Sequence, residues 1–151
     1  MVLDDEFSPL AQTQVAVSSY EFFRALSYER TRFPELISPS LTARIEGGGK
    51  VTRAEYEAGI ASAQRCRARI ADVLRDHDVL IAPSAPAEAP AIDTTGDPVF
   101  GLMWTLLQLP CLTLPYGRGP AGLPLGVQVV GGYGEDSRLF VHAQWIRQAL
   151  G

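Results

Sequence analysis

The chain has 151 residues, of which 46% are hydrophobic and 20% are charged. This composition is typical of a folded protein of one domain's length, and it excludes a disordered polypeptide. There are 13 basic and 17 acidic residues, which gives a net charge of −4. Because there is no surplus of positive charge to hold phosphates, nucleic acid is not expected to be a partner.

The features that report on cellular location point to the cytoplasm. Two cysteines, Cys66 and Cys111, make no disulfide framework and predict reduced thiols. The first six residues carry three acids and no basic segment, which predicts no signal peptide. The longest uncharged stretch, residues 98–117, is broken by proline and glycine and predicts no membrane helix. We therefore expect a cytoplasmic protein that has no membrane partner.

The first third of the chain is predicted to be helical. Residues 8–33 carry apolar side chains at spacings of seven, four and seven, which predicts one amphipathic helix. These side chains are Val15, Phe22, Leu26 and Phe33.

Two further helices are predicted from their termini. Ser38 followed by Pro39 indicates a helix start, and Gly47–Gly49 is expected to end that helix with left-handed backbone. Thr52 and Glu55 form a capping box that begins a longer helix. The apolar stripe of this longer helix is Tyr56, Ile60, Ala63, Arg67, Ile70 and Leu74, with the stem of Arg67 lying along it.

The rest of the chain mixes strands and helices. Its three short strands are heavily apolar, so we expect helices to cover both faces of a small sheet that is part of a larger one. The elements in chain order are a strand at 79–81, a proline-rich extended connection over 82–98, a helix over 99–108, strands at 111–114 and 125–130 joined by turn residues, and a helix over 136–150 that Asp136 caps.

Motifs for phosphate and metal binding are incomplete. Gly47–Lys50 superficially matches a phosphate-binding loop, but Arg44 stands where its first glycine belongs and Val51 where Ser or Thr is needed. His77 and His142 lie 65 residues apart, and neither has a second ligand at helical spacing. We expect His77 to be a polar residue at a helix end and His142 to be half-buried. No metal or cofactor is expected.

Nucleophilic residues lack the neighbours that would activate them. Ser18-Ser19 has no flanking glycines, and Ser84 follows a strand without a base near it in sequence. Cys111 has no neighbour that would lower its pKa, and burial would raise it. Asp93 and Asp97 in a proline-rich loop are typical of local turns. The residues alone therefore indicate an α/β protein without a recognisable catalytic constellation.

Two motifs carry a resemblance to a known family. Residues 122–131 follow the pattern G-L-P-x-G-x-Q-x-V-G, and Asp78–Pro83 follows D-x-L-L-x-P, with Ile81 at the second leucine. Thr52–Tyr56 and Thr95–Phe100 are also similar to family members. Over about residues 14–150 the chain resembles the C-terminal end of amidase signature enzymes.

The resemblance has two kinds of departure. Many members have Asn where Thr105 stands and Gly where Gln108 stands. The family hydrolyses amides with a Ser–cis-Ser–Lys triad and a glycine- and serine-rich signature loop, both in the N-terminal half of a longer protein. Nothing in these 151 residues matches them, and the only lysine, Lys50, stands after the region they would occupy. No catalytic residue is therefore carried over.

The resemblance implies an α/β fold in which a few mixed strands are covered by helices and the sheet is incomplete. Residues 1–151 would form a single partial amidase domain, inactive alone. Ser84, Trp104 and Thr105 are the candidate substrate-binding residues, because loops at strand ends shape pockets. A small amide would be a partner only after completion by the missing half, and self-association is expected. The alternatives are a non-catalytic binding module, one half of a split amidase, and an amidotransferase subunit.

Overall fold

A computed structural model describes residues 3–151 of the chain. These residues form two compact units, one ending at Gln64 and the other comprising Arg65–Gly151. The helices are α1 (Leu10–Ala25), α2 (Ser27–Arg32), α3 (Pro39–Gly49), α4 (Arg53–Val73), α5 (Val99–Leu107) and α6 (Asp136–Leu150), with short 3-10 helices at Asp5–Phe7 and Pro34–Leu36. The strands are β1 (Leu80–Pro83), β2 (Cys111–Arg118) and β3 (Pro124–Val130).

The predicted helix over residues 8–33 is interrupted at Leu26, which lies between α1 and α2 with φ −93° and ψ 23°. The predicted buried face is also wrong, since Val15 is 47% exposed. The buried positions of α1 include Ser18 and Ser19. Apolar periodicity missed this face because small polar side chains form the contact with another helix.

Helices α1 and α3 approach each other closely at Gly48. A Cβ at this position would lie 1.8 Å from the carbonyl oxygen of Ser19. The predicted start of α3 is confirmed, because the side chain of Ser38 accepts the N–H of Leu41. α3 ends at Gly49, within the predicted glycines, but the expected left-handed backbone is not found there, because none of Gly47–Gly49 has a positive φ. Glycine is required at position 48 by helix packing instead.

The capping box at the start of α4 is confirmed in both directions. The backbone N–H of Thr52 donates to the Glu55 carboxylate over 2.8 Å, and the N–H of Glu55 donates to the Thr52 hydroxyl over 3.2 Å. Within the first unit, the ring of Tyr56 stacks on Tyr20 with their centroids 4.3 Å apart. This helix therefore begins at a locally determined residue and is anchored by an aromatic pair.

The sheet has the order β1-β3-β2, and both ladders are antiparallel. The register aligns Ile81 with Val129 and Val129 with Leu112. The predicted α/β class is confirmed, whereas the expected mixture of strand directions is not found among the described residues. Strand β2 continues past Pro115 through an irregularity in its pairing, so residues predicted to be a turn belong to an edge strand.

One face of the sheet is covered by α6. Leu114 and Val129 pack there with Leu139, Ala143 and Ile146 in one buried cluster. On the opposite face the side chain of Gln128 donates to the carbonyl oxygen of Phe100 in α5 over 2.7 Å. The expectation that helices cover both faces of the sheet is wrong at its two edges, because most of β2 is exposed and Ile81 in β1 is 58% exposed. The N-cap of α6 is Glu135, not Asp136.

The C-terminal end of α5 is a Schellman motif. Gln108 adopts left-handed backbone at φ 54° and ψ 36°. Its N–H donates to the carbonyl of Thr105, and the N–H of Leu109 donates to that of Trp104. Trp104 and Leu109, which are paired by the motif, are both buried. A residue other than glycine thus occupies the position where this motif prefers glycine.

Candidate functional site

A cavity in the second unit lies beside the end of β1. It has a volume of about 580 Å³ and is bounded by the proline-rich connection and by the facing parts of β2 and β3. Ser84 is the first residue after β1, and its N–H donates to the carbonyl oxygen of Gly126 over 3.2 Å. The structure therefore places one sequence-predicted site residue, Ser84, on the wall of a cavity.

Gly126 of β3, which lines this cavity, makes room for the side chains of Ser84 and Thr113. A Cβ there would lie 2.5 Å from the Ser84 hydroxyl oxygen and 2.6 Å from the Thr113 methyl carbon. Glycine in a strand interior often marks such a close approach. Two hydroxyl-bearing side chains consequently converge over one glycine.

The outer wall of the cavity is held by Glu88. Its carboxylate accepts the backbone N–H groups of Ala121 and Leu123, each at 3.1 Å. These two residues belong to the turn between β2 and β3, so one side chain connects the proline-rich connection to that turn. Gly119 permits this arrangement, since a Cβ there would lie 2.3 Å from the carboxylate.

The chemistry available inside the cavity is limited. Among its lining residues the titratable ones are Glu88 and Asp97. Glu88 is engaged with the turn, and Asp97 accepts the N–H of Val99 at the start of α5 over 2.9 Å. Neither carboxylate makes a hydrogen bond to Ser84 in the described contacts. The arrangement can bind and orient a small molecule, but it presents no nucleophile paired with a base.

The other two sequence-predicted site residues lie on α5 and do not line this cavity. Trp104 is only 6% exposed and packs in the interior. Thr105 is exposed, and its hydroxyl donates to the carbonyl of Gly101 within the helix over 2.9 Å. The structure therefore brings Ser84 to the cavity and leaves Trp104 and Thr105 away from it.

The two cysteines and His142 lie outside the cavity beside Ser84. Burial raises the pKa of the Cys111 thiol to about 11, in the direction predicted. Cys66 is buried. His142 is half-buried, as predicted, and its Nε2 accepts from Arg138 over 3.2 Å while lying 3.8 Å from Asp78. Over residues 3–151 no group of His, Cys, Asp and Glu is arranged to hold a metal ion.

Sequence reasoning missed Glu88. It is the only charged residue in the alanine- and proline-rich stretch 82–90, which is a pattern that could have drawn attention to it. Its partners are backbone groups more than thirty positions away, so the sequence did not reveal them.

Among the helices of residues 3–151, none has the length and apolar character that crossing a membrane requires.

Comparison with known proteins gives the family. The Amidase family model matches residues 10–140, which is most of the chain. A crystal structure of an amidase superposes with a TM-score of 0.86 at 27% identity, covering 96% of this chain and 36% of the amidase. The chain therefore belongs to the amidase family, as the two sequence motifs predicted.

Two relatives of this chain carry the same protein name. The A subunit of glutamyl-tRNA(Gln) amidotransferase from Neisseria meningitidis serogroup C (strain 053442) is 36% identical over 103 residues, which are 61% of this chain and 21% of the relative. The protein of that name from Granulibacter bethesdensis is 34% identical over 135 residues, 81% of this chain and 27% of the relative. The chain thus spans about a fifth to a quarter of the length of these relatives.

Proposed function

We propose that residues 1–151 form the non-catalytic wall of an amide-binding pocket in an amidase-type hydrolase. The cavity beside Ser84 carries this proposal, because it is of ligand size and offers hydroxyl groups without a nucleophile–base pair. In this proposal the hydrolytic groups come from a stretch of amidase sequence that these 151 residues do not contain. Residues 1–151 then act as one partial domain, located in the cytoplasm.

The division of labour follows from how amide hydrolysis works. A nucleophile, its base and an oxyanion-stabilising group must be held together around one carbonyl. A wall without these groups contributes by placing the amide and excluding water. The wall residues are therefore expected to change KM more than kcat.

The first experiment asks whether the chain hydrolyses amides alone. The purified 151-residue chain is incubated with acetamide and benzamide, and release of ammonia is measured. We expect no turnover. Turnover that survives both Ser84→Ala and Cys111→Ala, in protein shown to be free of contaminating amidase, would contradict the proposal because another nucleophile would have to be present.

The second experiment supplies the remaining part of an amidase. A chimera is made in which this chain replaces the corresponding 36% of the crystallised amidase. The chimera should hydrolyse the amide that the parent enzyme hydrolyses. Ser84→Leu should raise KM at least tenfold with a smaller change in kcat. Thr105→Leu and Trp104→Phe test the other two candidates, and an unchanged KM in these variants would exclude them from the pocket.

The amidotransferase relatives favour a second candidate, a component of an assembly that acts on glutamyl-tRNA(Gln). The test is to place this chain in the corresponding stretch of the Neisseria meningitidis relative and to measure whether the hybrid still supports transamidation. Activity in the amidase chimera without activity in this hybrid would favour the hydrolase. The reverse result would favour the amidotransferase.

A stand-alone binding module is the remaining alternative. It predicts that neither hybrid is active while the isolated chain binds small amides at the Ser84 cavity. Equilibrium dialysis with labelled benzamide, using Ser84→Leu as the blocked variant, measures this binding directly.

A further inference from the structure

One side of the cavity beside Ser84 is built from short, inflexible residues. Over residues 85–90, every lining residue except Glu88 is an alanine or a proline. Alanine has no side-chain rotamers to lose, and proline fixes its own φ. This side of the cavity therefore offers apolar surface that is already ordered before a ligand arrives, and it carries no long side chain that could bring a positive charge inward.

The charges that line the cavity are all negative. Its charged lining residues are Glu88, which is half-buried, and Asp97, which is exposed. Within residues 3–151, no arginine, lysine or histidine side chain lines it. Both carboxylates accept backbone N–H groups, which satisfies their hydrogen bonding without cancelling their charge. A ligand in this cavity consequently meets net negative charge.

Arg118, at the end of β2, does not balance these carboxylates. It does not line the cavity, and its Nη1 donates to the carbonyl oxygen of Gly122 over 2.6 Å. The guanidinium is thus engaged by the turn between β2 and β3. In the described contacts, neither Glu88 nor Asp97 accepts a hydrogen bond from it.

A ligand that carries a carboxylate is disfavoured in such a cavity for two reasons. Entry removes water from its charged group beside an apolar wall, and no cation replaces that water. The two fixed carboxylates also repel it, over a range of several ångströms and to a degree that salt reduces. An ammonium group is attracted by the same two charges, and an uncharged group is little affected.

We propose that the cavity beside Ser84 takes amides that are otherwise uncharged or cationic and excludes amides that carry a carboxylate. This inference rests on the proposed function, because it assumes that the ligand of the cavity is an amide. The hydroxyl groups of Ser84 and Thr113 are available to hydrogen-bond the amide, and residues 85–90 contact its apolar part. The lining residues thereby set the charge class of the substrate.

The test compares three amides of nearly equal size and different charge. They are 4-(hydroxymethyl)benzamide, which is neutral, 4-carbamoylbenzoate, which is anionic, and 4-(aminomethyl)benzamide, which is cationic. Equilibrium dialysis gives the Kd of each for the 151-residue chain, with Ser84→Leu as the variant blocked at the cavity. At low salt the anion should bind at least about fivefold more weakly than the neutral amide, and the cation at least as tightly. The disadvantage of the anion should shrink in about 0.5 M NaCl.

Asp97→Asn assigns the discrimination to the cavity. The amide side chain removes the charge and retains an acceptor for the N–H of Val99. The ratio of the anion's Kd to that of the neutral amide should fall by at least about twofold. Asp93→Asn is the matched control, because Asp93 is exposed in the same connection and does not line the cavity. This control should leave the ratio unchanged.

A second variant covers the case in which Asp97→Asn lowers the melting temperature. Glu88→Gln removes the other charge and keeps one oxygen, the counterpart of Oε1, which accepts from both Ala121 and Leu123. It should reduce the same Kd ratio by at least about twofold.

Four outcomes would overturn the inference. The first is equal affinity for the neutral and anionic amides. The second is weaker binding of both ions than of the neutral amide, since the apolar wall and not the carboxylates would then select the ligand. The third is an equal effect of Asp97→Asn and Asp93→Asn, which would make the overall net charge the cause. The fourth is undiminished binding by Ser84→Leu, which would place the amides elsewhere on the chain.

The binding measurements are independent of the test of the proposed function. Dialysis does not require turnover, so an inactive amidase chimera together with the expected charge preference contradicts the proposed function and supports the inference. An active chimera together with equal binding of the three amides supports the function and overturns the inference. Absence of any binding also overturns the inference, whereas the proposed function is then decided by the chimera.

Discussion

The Nε atom of Arg67 donates a hydrogen bond of 2.7 Å to the carbonyl oxygen of Leu107. Leu107 is the last residue of α5, where backbone carbonyls lack helical partners and attract positive charge. The same guanidinium lies 4.7 Å from the centre of the Tyr133 ring. One half-buried side chain in α4 therefore serves two other segments of the second unit.

Replacing Arg67 should destabilise the protein more than replacing an exposed arginine. Arg67→Met keeps an apolar stem but leaves the Leu107 carbonyl unpaired, and we expect the free energy of unfolding to fall by about 1–3 kcal/mol. Urea denaturation measures the change. Arg75→Met is the control, because Arg75 pairs only with Asp72 in the described ion pairs and its side chain is 76% exposed. Equal effects of the two substitutions would show that the bond to Leu107 has no special weight.

Gln108 offers a stabilising substitution. Its left-handed backbone is unfavourable for a residue with a Cβ, so Gln108→Gly should raise the free energy of unfolding by about 1 kcal/mol. Gln108→Ala retains the Cβ and should give no gain. Thermal and urea unfolding of the two variants provide the comparison. A stability gain from alanine as large as that from glycine would contradict the conformational explanation.

Two neighbouring glycines of α3 should respond in opposite directions. Gly48→Ala places a methyl group against the Ser19 carbonyl and should destabilise by at least about 3 kcal/mol, the upper range for overpacking. Gly47→Ala meets no atom within 4 Å and should stabilise the helix by about 0.5–1 kcal/mol. The denaturation midpoints of the two variants, compared with that of the wild type, measure these changes in stability. A Gly48→Ala variant at least as stable as the wild type would exclude the close helix contact at Gly48.

The capping box at Glu55 should make stability depend on acid pH. Hydrogen bonds from the backbone and side chain of Thr52 lower the pKa of Glu55 in the folded state. The stabilisation is therefore complete above the unfolded-state pKa and is lost as the pH falls through the lower folded-state value. The melting temperature of the wild type should exceed that of Glu55→Ala by more at neutral pH than in acid, where the carboxylate is protonated.

A matched variant isolates the charge of Glu55. Glu55→Gln retains an acceptor for the capping box but does not titrate. Its advantage over Glu55→Ala should be the same at neutral and acid pH, whereas that of the wild type should shrink in acid. Parallel pH curves for the wild type and Glu55→Gln would refute the assignment of this titration to Glu55.

The thiol of Cys111 should be unreactive at neutral pH. Its pKa of about 11 leaves little thiolate, although the residue as a whole is exposed. The rate of reaction with Ellman's reagent should rise through about pH 11 in the folded protein. Cys111→Ser assigns the reaction to this thiol, and labelling in urea gives the unfolded reference. Rapid reaction of Cys111 at neutral pH would rule out its desolvation.

Local sequence predicted the termini that local contacts determine. Ser38 and the pair Thr52 and Glu55 begin their helices as expected, because each bonds to backbone within three residues. The strands and the α/β class followed from apolar runs and turn residues. The family motif at residues 122–131 led to the family that the comparisons established.

Features that depend on distant contacts were not predictable in this way. Gly48 looked like a helix terminus, but its role is defined by Ser19 in another helix. Pro115 looked like part of a turn, but the edge position of β2 tolerates it within a strand. Ser84 was predicted as a site residue and lies on the cavity, whereas the function of Glu88 depends on a turn more than thirty residues away.

The connection made by Glu88 has a consequence for how this pocket wall can vary. Ala121 and Leu123 contribute backbone N–H groups, so their side chains can be exchanged freely without releasing the wall. Proline is the exception, since it would delete the donor. The turn already carries prolines at the flanking positions 120 and 124, where Glu88 takes no hydrogen bond. Most substitutions in the turn should therefore leave the cavity wall in place, because main-chain atoms of the turn hold it.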